Sequence, residues 1–230
     1  MFRRDYLMQQ IEQLTLVLHR ILVHKEQQQP GKAQELLEEA CRHVLGMNPR
    51  ALAALSGRDI LQLLTYNGTV DHGRAVAVAA LLLEQGALDE AQGETSAAYA
   101  LYLKALEVLL ELLDGAATDE AAELREWASP QIGKALELLK GKFLPAGLKM
   151  RLFAYWEAVG QYAKAEDMLS WWLEDVQRDP AAVAQALREG VAFYERLRER
   201  PESELAAGRF SAAEVEEGLA WCRSQSAGDE

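Results

Sequence analysis

Cysteine, histidine and proline are all scarce in this 230-residue chain, with two, four and six copies. Two cysteines, Cys41 and Cys222, cannot build a disulfide framework. Two reduced thiols in a cytosolic protein are expected, with a single bridge spanning most of the chain as the alternative. The histidines offer no zinc set. His19 and His24 are five residues apart on one helix, and Cys41 and His43 diverge by about 200° around a helical turn. No metal, cofactor or catalytic residue is therefore expected. Asp71-His72 could be an acid–base pair, but an aspartate at a helix start explains it as an N-cap. Glycine-rich phosphate loops and nucleophile elbows are missing. So is any apolar run approaching the ~20 residues of a membrane span. Arg3-Arg4-Asp5-Tyr6-Leu7-Met8 is superficially like a twin-arginine export signal, but Gln9, Gln10, Glu12 and Gln13 break the apolar region such a signal needs. A cytoplasmic protein is the expectation.

Positive charge is also in deficit. The formal net charge is −12, and residues 1–29 carry four Lys/Arg against three Asp/Glu, so the acidity lies in the remainder. No basic patch stands out, because Lys and Arg are interleaved with acids. This argues against nucleic acid and anionic membranes as partners; the acidity is read first as keeping the chain soluble, with attraction of a basic protein or peptide as the alternative.

Ala, Leu, Glu and Gln dominate, and they are helix formers. With few β-branched residues and no convincing apolar/polar alternation, no sheet is expected and the fold is read as all-α. The first helix is predicted over residues 4–26. Leu7, Ile11, Leu14, Leu18 and Ile21 recur at spacings 4, 3, 4 and 3, a heptad-like seam. Such a stripe must be covered by the rest of the chain, by its copy in a homodimer, or by another protein. Further helices are predicted to end at Leu45, to start at Ser56 with Asp59 as capping partner, and to run from His72 to Gln85, where Gly86 loosens the chain. Others span the Ala98 region to Leu113, a short segment from Thr118, and a new helix from Ser129-Pro130. Then follow Leu148–Val159, Tyr162–Gln177, a helix from Asp179-Pro180 to Arg200, and one from the capping box Ser211–Glu214 to Arg223. Asn67-Gly68 marks a turn. The composition shift at residues 114–129 is a candidate hinge. The chain is read as one domain, 1–230, with 1–28 an amphipathic N-terminal helix and 224–230 a frayed tail.

Three segments repeat a small/large pattern at helical offsets 0, 4, 7 and 8: Ala33-Leu37-Ala40-Cys41, Ala98-Tyr102-Ala105-Leu106 and Ala165-Leu169-Trp172-Leu173. Their anchors lie about twice the ~34-residue tetratricopeptide (TPR) period apart. The third is the best formed: Leu152, Trp156, Gly160, Tyr162, Ala165, Leu169 and Leu173 match positions of such a unit. The first two are weaker. The architecture expected is antiparallel helix pairs stacked as an irregular TPR-like α-solenoid. With Met1-Phe2-x-x-Asp5-Tyr6-Leu7-Met8, Tyr162-Ala163-Lys164-Ala165-Glu166-Asp167 and Phe193-Tyr194-Glu195-Arg196-Leu197, the chain resembles a family of uncharacterised bacterial all-helical proteins with TPR-like helices. That resemblance implies an all-α fold and no assigned activity.

The aromatic group Phe153, Tyr155, Trp156, Tyr162, Trp171 and Trp172 is the one local enrichment. Trp156 and Trp172 fall at core positions, whereas Tyr155 and Trp171 precede core positions and are the candidate partner-binding residues. The function expected is a non-enzymatic protein–protein interaction scaffold. The alternatives are a structural or regulatory homo-oligomer built on the Leu7–Ile21 seam and, less favoured, a helical enzyme or small-ligand carrier.

Overall fold

A computed structural model describes residues 20, 21, 23, 24, 27, 29–116 and 118–227. Among these are eleven helices and one small hairpin: α1 (Pro30–Leu45), α2 (Pro49–Ala53), α3 (Gly57–Leu63), β1 (Thr65–Tyr66), β2 (Thr69–Val70), α4 (His72–Ala91), α5 (Thr95–Asp114), α6 (Thr118–Leu138), α7 (Ala146–Ala158), α8 (Tyr162–Val176), α9 (Pro180–Arg198), α10 (Glu202–Ala207) and α11 (Ala212–Ala227). The all-α expectation holds apart from the hairpin. The chain divides into two compact units, Met1–Phe143 and Leu144–Glu230.

In the first unit the helix starts follow capping chemistry. The Asn48 side chain accepts from Ala51 N, Ser56 and Asp59 form a reciprocal box, and Asp71 accepts from Arg74 N. Each satisfies a backbone N–H that has no partner inside its helix. Asn67 and Gly68 both take positive φ, 50° and 76°, the turn that best matches the twist of two paired strands. Thr65 thereby pairs with Val70 and Tyr66 with Thr69. That short ladder corrects the expectation of no sheet: the turn was legible, but two-residue strands are too short to show alternation.

The core of this unit is the α4–α5 pair. Every residue from Ala75 to Gly86 is buried, so α4 is enclosed on all sides. Gly86 does not loosen this helix, which continues to Ala91. A β-carbon at 86 would lie 2.5 Å from Tyr102 Cε1 and 3.1 Å from the Ala98 carbonyl oxygen. The glycine is therefore a notch that receives the Tyr102 ring, and Tyr102 has no exposed surface. The Tyr102 hydroxyl donates to Glu90 Oε2 at 2.9 Å, and Lys142 Nζ donates to Glu90 Oε1 at 3.0 Å. Arg74 donates to the Val44 carbonyl at the end of α1, and the buried Glu84 pairs with Lys134.

Ser129-Pro130 does not begin a helix, because α6 runs through it. Pro130 has no N–H to donate, yet Leu124, Ala128, Ile132 and Ala135 form one unbroken buried stripe across it. Ser129 Oγ donates to the Arg125 carbonyl at 2.6 Å. Burial of that face outweighs the lost backbone bond. The candidate hinge at 114–129 is thus largely the first half of α6.

The second unit contains α7 to α11. α7 and α8 form an antiparallel hairpin, with Lys149 near the start of one bonded to Asp175 near the end of the other at 2.6 Å. α9 packs against both α8 and α11. The last helix extends to Ala227, beyond the predicted end at Arg223; residues 228–230 of the proposed tail lie outside the described residues. In the three small/large patterns Ala33, Leu37, Cys41, Ala98, Tyr102, Ala105, Leu106, Ala165, Leu169 and Trp172 are buried, while Ala40 and Leu173 are half-buried.

Gly86→Ala forces the Tyr102 ring to move and is expected to lower stability by about 1–3 kcal/mol in urea denaturation. Gly133→Ala, in α6 with nothing within 4 Å of its β-carbon position, should raise stability by roughly 0.5–1 kcal/mol. Equal effects at both positions would contradict the notch.

Candidate functional site

The aromatic-rich segment folds into the second unit, where packing sorts its rings. Gly160, at φ 72°, makes the three-residue turn between α7 and α8. Phe153 meets Phe193 edge-on at 5.2 Å, and Phe193 contacts Tyr194 at 5.1 Å. Tyr162 is buried against Gly208, whose carbonyl accepts from Ala163 N at 3.1 Å. The chain turn following α10 is thereby tied to the start of α8.

Tyr155 and Trp156 have exchanged the places expected of them. Tyr155 is 7% exposed and packs in the core. Trp156 is half-buried, with the Lys164 ammonium 4.3 Å from its ring centroid. Adjacent residues on a helix point about 100° apart, so a repeat alignment off by one position swaps inside for outside. Trp171 is exposed as expected, at 46%, beside the buried Trp172. Leu7, Ile11, Leu14 and Leu18 of the candidate oligomer seam lie outside the described residues, and Ile21 has no exposed surface.

A shallow groove of about 620 Å³ opens between α7 and α9. Ala154, Ala158 and Gly160 give it a low floor, and Glu157, Arg196 and Arg200 supply its charge. Neither Tyr155 nor Trp171 lines it. Arg196 spans the groove to Glu157 through two parallel bonds, Nε to Oε1 at 2.6 Å and Nη2 to Oε2 at 2.8 Å. This fork geometry fixes both side chains more firmly than a single contact would. Hydrogen bonding to Glu157 holds the Arg196 guanidinium above its already high ordinary pKa. Arg200 is about half exposed and only 3.4 Å from Glu204.

The same unit holds a part-buried polar contact that motif reading did not single out. Tyr194 donates its hydroxyl to Glu166 Oε1 at 2.6 Å, and its ring fills the space above Gly218, where a β-carbon would come within 2.3 Å of Cζ. Desolvation raises the Glu166 pKa despite that hydrogen bond, with Glu214 and Asp167 adding repulsion. Tyr194 is pushed up as well, first by burial. The signal was present in the sequence, since Glu166 and Tyr194 sit in two of the strings that carried the family resemblance.

Neither cysteine is activated as a nucleophile. Burial pushes the Cys41 thiol up to about 12 and the Cys222 thiol up to about 11, the opposite of what a reactive cysteine needs. Asp71 caps α4, and His72 lies 3.9 Å from Glu120. Among the described residues no group of three or more His, Cys, Asp or Glu could hold a metal ion, and no helix is long and apolar enough to cross a membrane.

Residues 1–226 match a family of unknown function (DUF6483), and the chain belongs to that family. No curated protein and no solved structure matches the chain.

The raised pKa of Glu166 has a sign that can be checked. The fold disfavours its charged form, so the penalty is present above the raised pKa and vanishes as pH falls through the ordinary carboxyl range. Glu166→Gln, which keeps an acceptor for Tyr194, should raise Tm at pH 7 and lose that advantage near pH 3. A lower Tm at pH 7 would contradict it. Both thiols should be inert to iodoacetamide at pH 7.5 in the native protein and react together only in denaturant; modification of the folded chain would contradict the burial.

Proposed function

Proceeding from a family without an assigned activity, we propose that this chain is a non-enzymatic scaffold that binds a segment of another protein, and that the α7–α9 groove is the seat. The observation that carries the reading is this groove, open to solvent, with small residues as its floor and a fixed Glu157–Arg196 bridge across it. A concave strip between two helices is the surface that helical repeats use for extended partners. The helices that frame it start at residues 146 and 180, one TPR period of ~34 residues apart. That spacing supports a TPR-like arrangement for α7 to α11.

The net charge of −12 favours a partner with a basic surface through long-range attraction, and disfavours nucleic acid. The buried thiols, with their raised pKa values, are poor nucleophiles, which fits a non-enzymatic reading. A cytoplasmic setting belongs to the same proposal, since two free thiols require no oxidising compartment.

Ala158→Arg fills the groove from an exposed position, where substitutions usually change stability by no more than about 0.5 kcal/mol. Affinity capture with the wild-type chain should recover a stoichiometric protein that the Ala158→Arg chain, with an unchanged melting curve, recovers at least tenfold less. Equal recovery by both chains would overturn the groove as the seat.

A further inference from the structure

We infer that the outer face of α8 around Trp171 is a second docking surface, and that its occupant is a protein segment presenting a Lys or Arg side chain. Trp171 is 46% exposed on a helix whose next residue, Trp172, is 4% exposed. An indole left this open on a well-packed helix keeps a large apolar face in water. Its ring takes neither an aromatic nor a cationic partner from the described residues. The same hairpin shows what an indole face in this unit accepts, because Lys164 lies over the Trp156 ring at 4.3 Å. Trp171 lacks such a cation and has carboxylates in its place.

Asp167 and Glu174 stand four residues before and three residues after Trp171, the spacings that bring side chains together on one helix face. Both are exposed, and neither makes an ion pair with a described residue. Asp175, by contrast, is engaged by Lys149. A cationic side chain laid on the indole would meet the negative ring face and two carboxylates at once. Complementary charge on a chain of net −12 thus selects the occupant: a basic segment meets all three groups at once, a neutral one covers only the indole, and an acidic one is repelled by both carboxylates. The Trp171 ring is no part of the α7–α9 groove, so this surface stands or falls separately from the proposed seat there.

The full chain, labelled with ¹⁵N at its five tryptophan indoles, is titrated with a 14-residue peptide of Arg, Lys, Leu and Ala, and with its counterpart carrying Gln for every Arg and Lys. The Trp171 indole signal should shift saturably with the basic peptide only. Asp167→Asn/Glu174→Gln and, followed by fluorescence anisotropy of the labelled peptide, Trp171→Ala should each weaken binding about tenfold. Glu35→Gln/Glu39→Gln, exposed on α1, should leave it within twofold. Far-UV circular dichroism confirms that each variant is folded. The proposal is overturned if the Trp171 signal does not move, if the Gln peptide binds equally, or if the α1 pair weakens binding as much as the α8 pair.

Discussion

In each unit a tyrosine ring lies on a glycine of a neighbouring helix and returns its hydroxyl to a glutamate. Tyr102 lies on Gly86 and donates to Glu90; Tyr194 lies on Gly218 and donates to Glu166. The glycine lets two helix backbones approach, the ring fills the remaining space, and the glutamate satisfies a hydroxyl that burial would otherwise strand. Other contacts follow from that spacing. Ala98 and Ala105 can face α4 with no exposed surface, and Gly190 can receive both Leu169 and the Cys222 sulfur. The two glutamates differ in environment. Lys142 and Tyr102 hold Glu90 below the usual carboxyl range, whereas burial lifts Glu166 above it.

In the second unit this framework absorbs most of the aromatic enrichment. Phe153, Tyr155, Tyr162, Trp172, Phe193 and Tyr194 are buried and hold helices together. They leave outside a groove between α7 and α9, the exposed Trp171 on α8 and the exposed Trp221 on α11. Helices carry both the groove and the Trp171 face, so under the proposed reading their side chains are largely ordered before a partner arrives. Less conformational entropy is then lost on binding. The chemistry of the two surfaces differs. The groove is crossed by a neutralised Arg–Glu bridge, while the face around Trp171 keeps two carboxylates without an ion-pair partner among the described residues.

Much of this was legible in the sequence because it is local. Ser56 with Asp59, Asp71, Asp179 and Ser211 with Glu214 all cap the helices they announce, and the small/large patterns fall on buried faces. What could not be read depends on partners distant in sequence. Gly86 has the look of a helix breaker until the Tyr102 ring occupies it, and Pro130 that of a helix start until its buried stripe is seen to continue. The Tyr155/Trp156 exchange reflects one residue of register, which alanine- and leucine-rich helices do not fix. The strings Tyr162–Asp167 and Phe193–Leu197 carried the family resemblance without stating why; they meet through the bond from Tyr194 to Glu166.

The central claim is that the Tyr194–Gly218 contact holds α8, α9 and α11 together as one body. Hydrogen exchange on the Gly218→Ala chain tests it most directly, because a β-carbon there must displace the Tyr194 ring. The account predicts that protection falls together in α8, α9 and α11 while α4 and α5 keep theirs. Loss confined to α11, with α8 and α9 as protected as in the wild type, would contradict it.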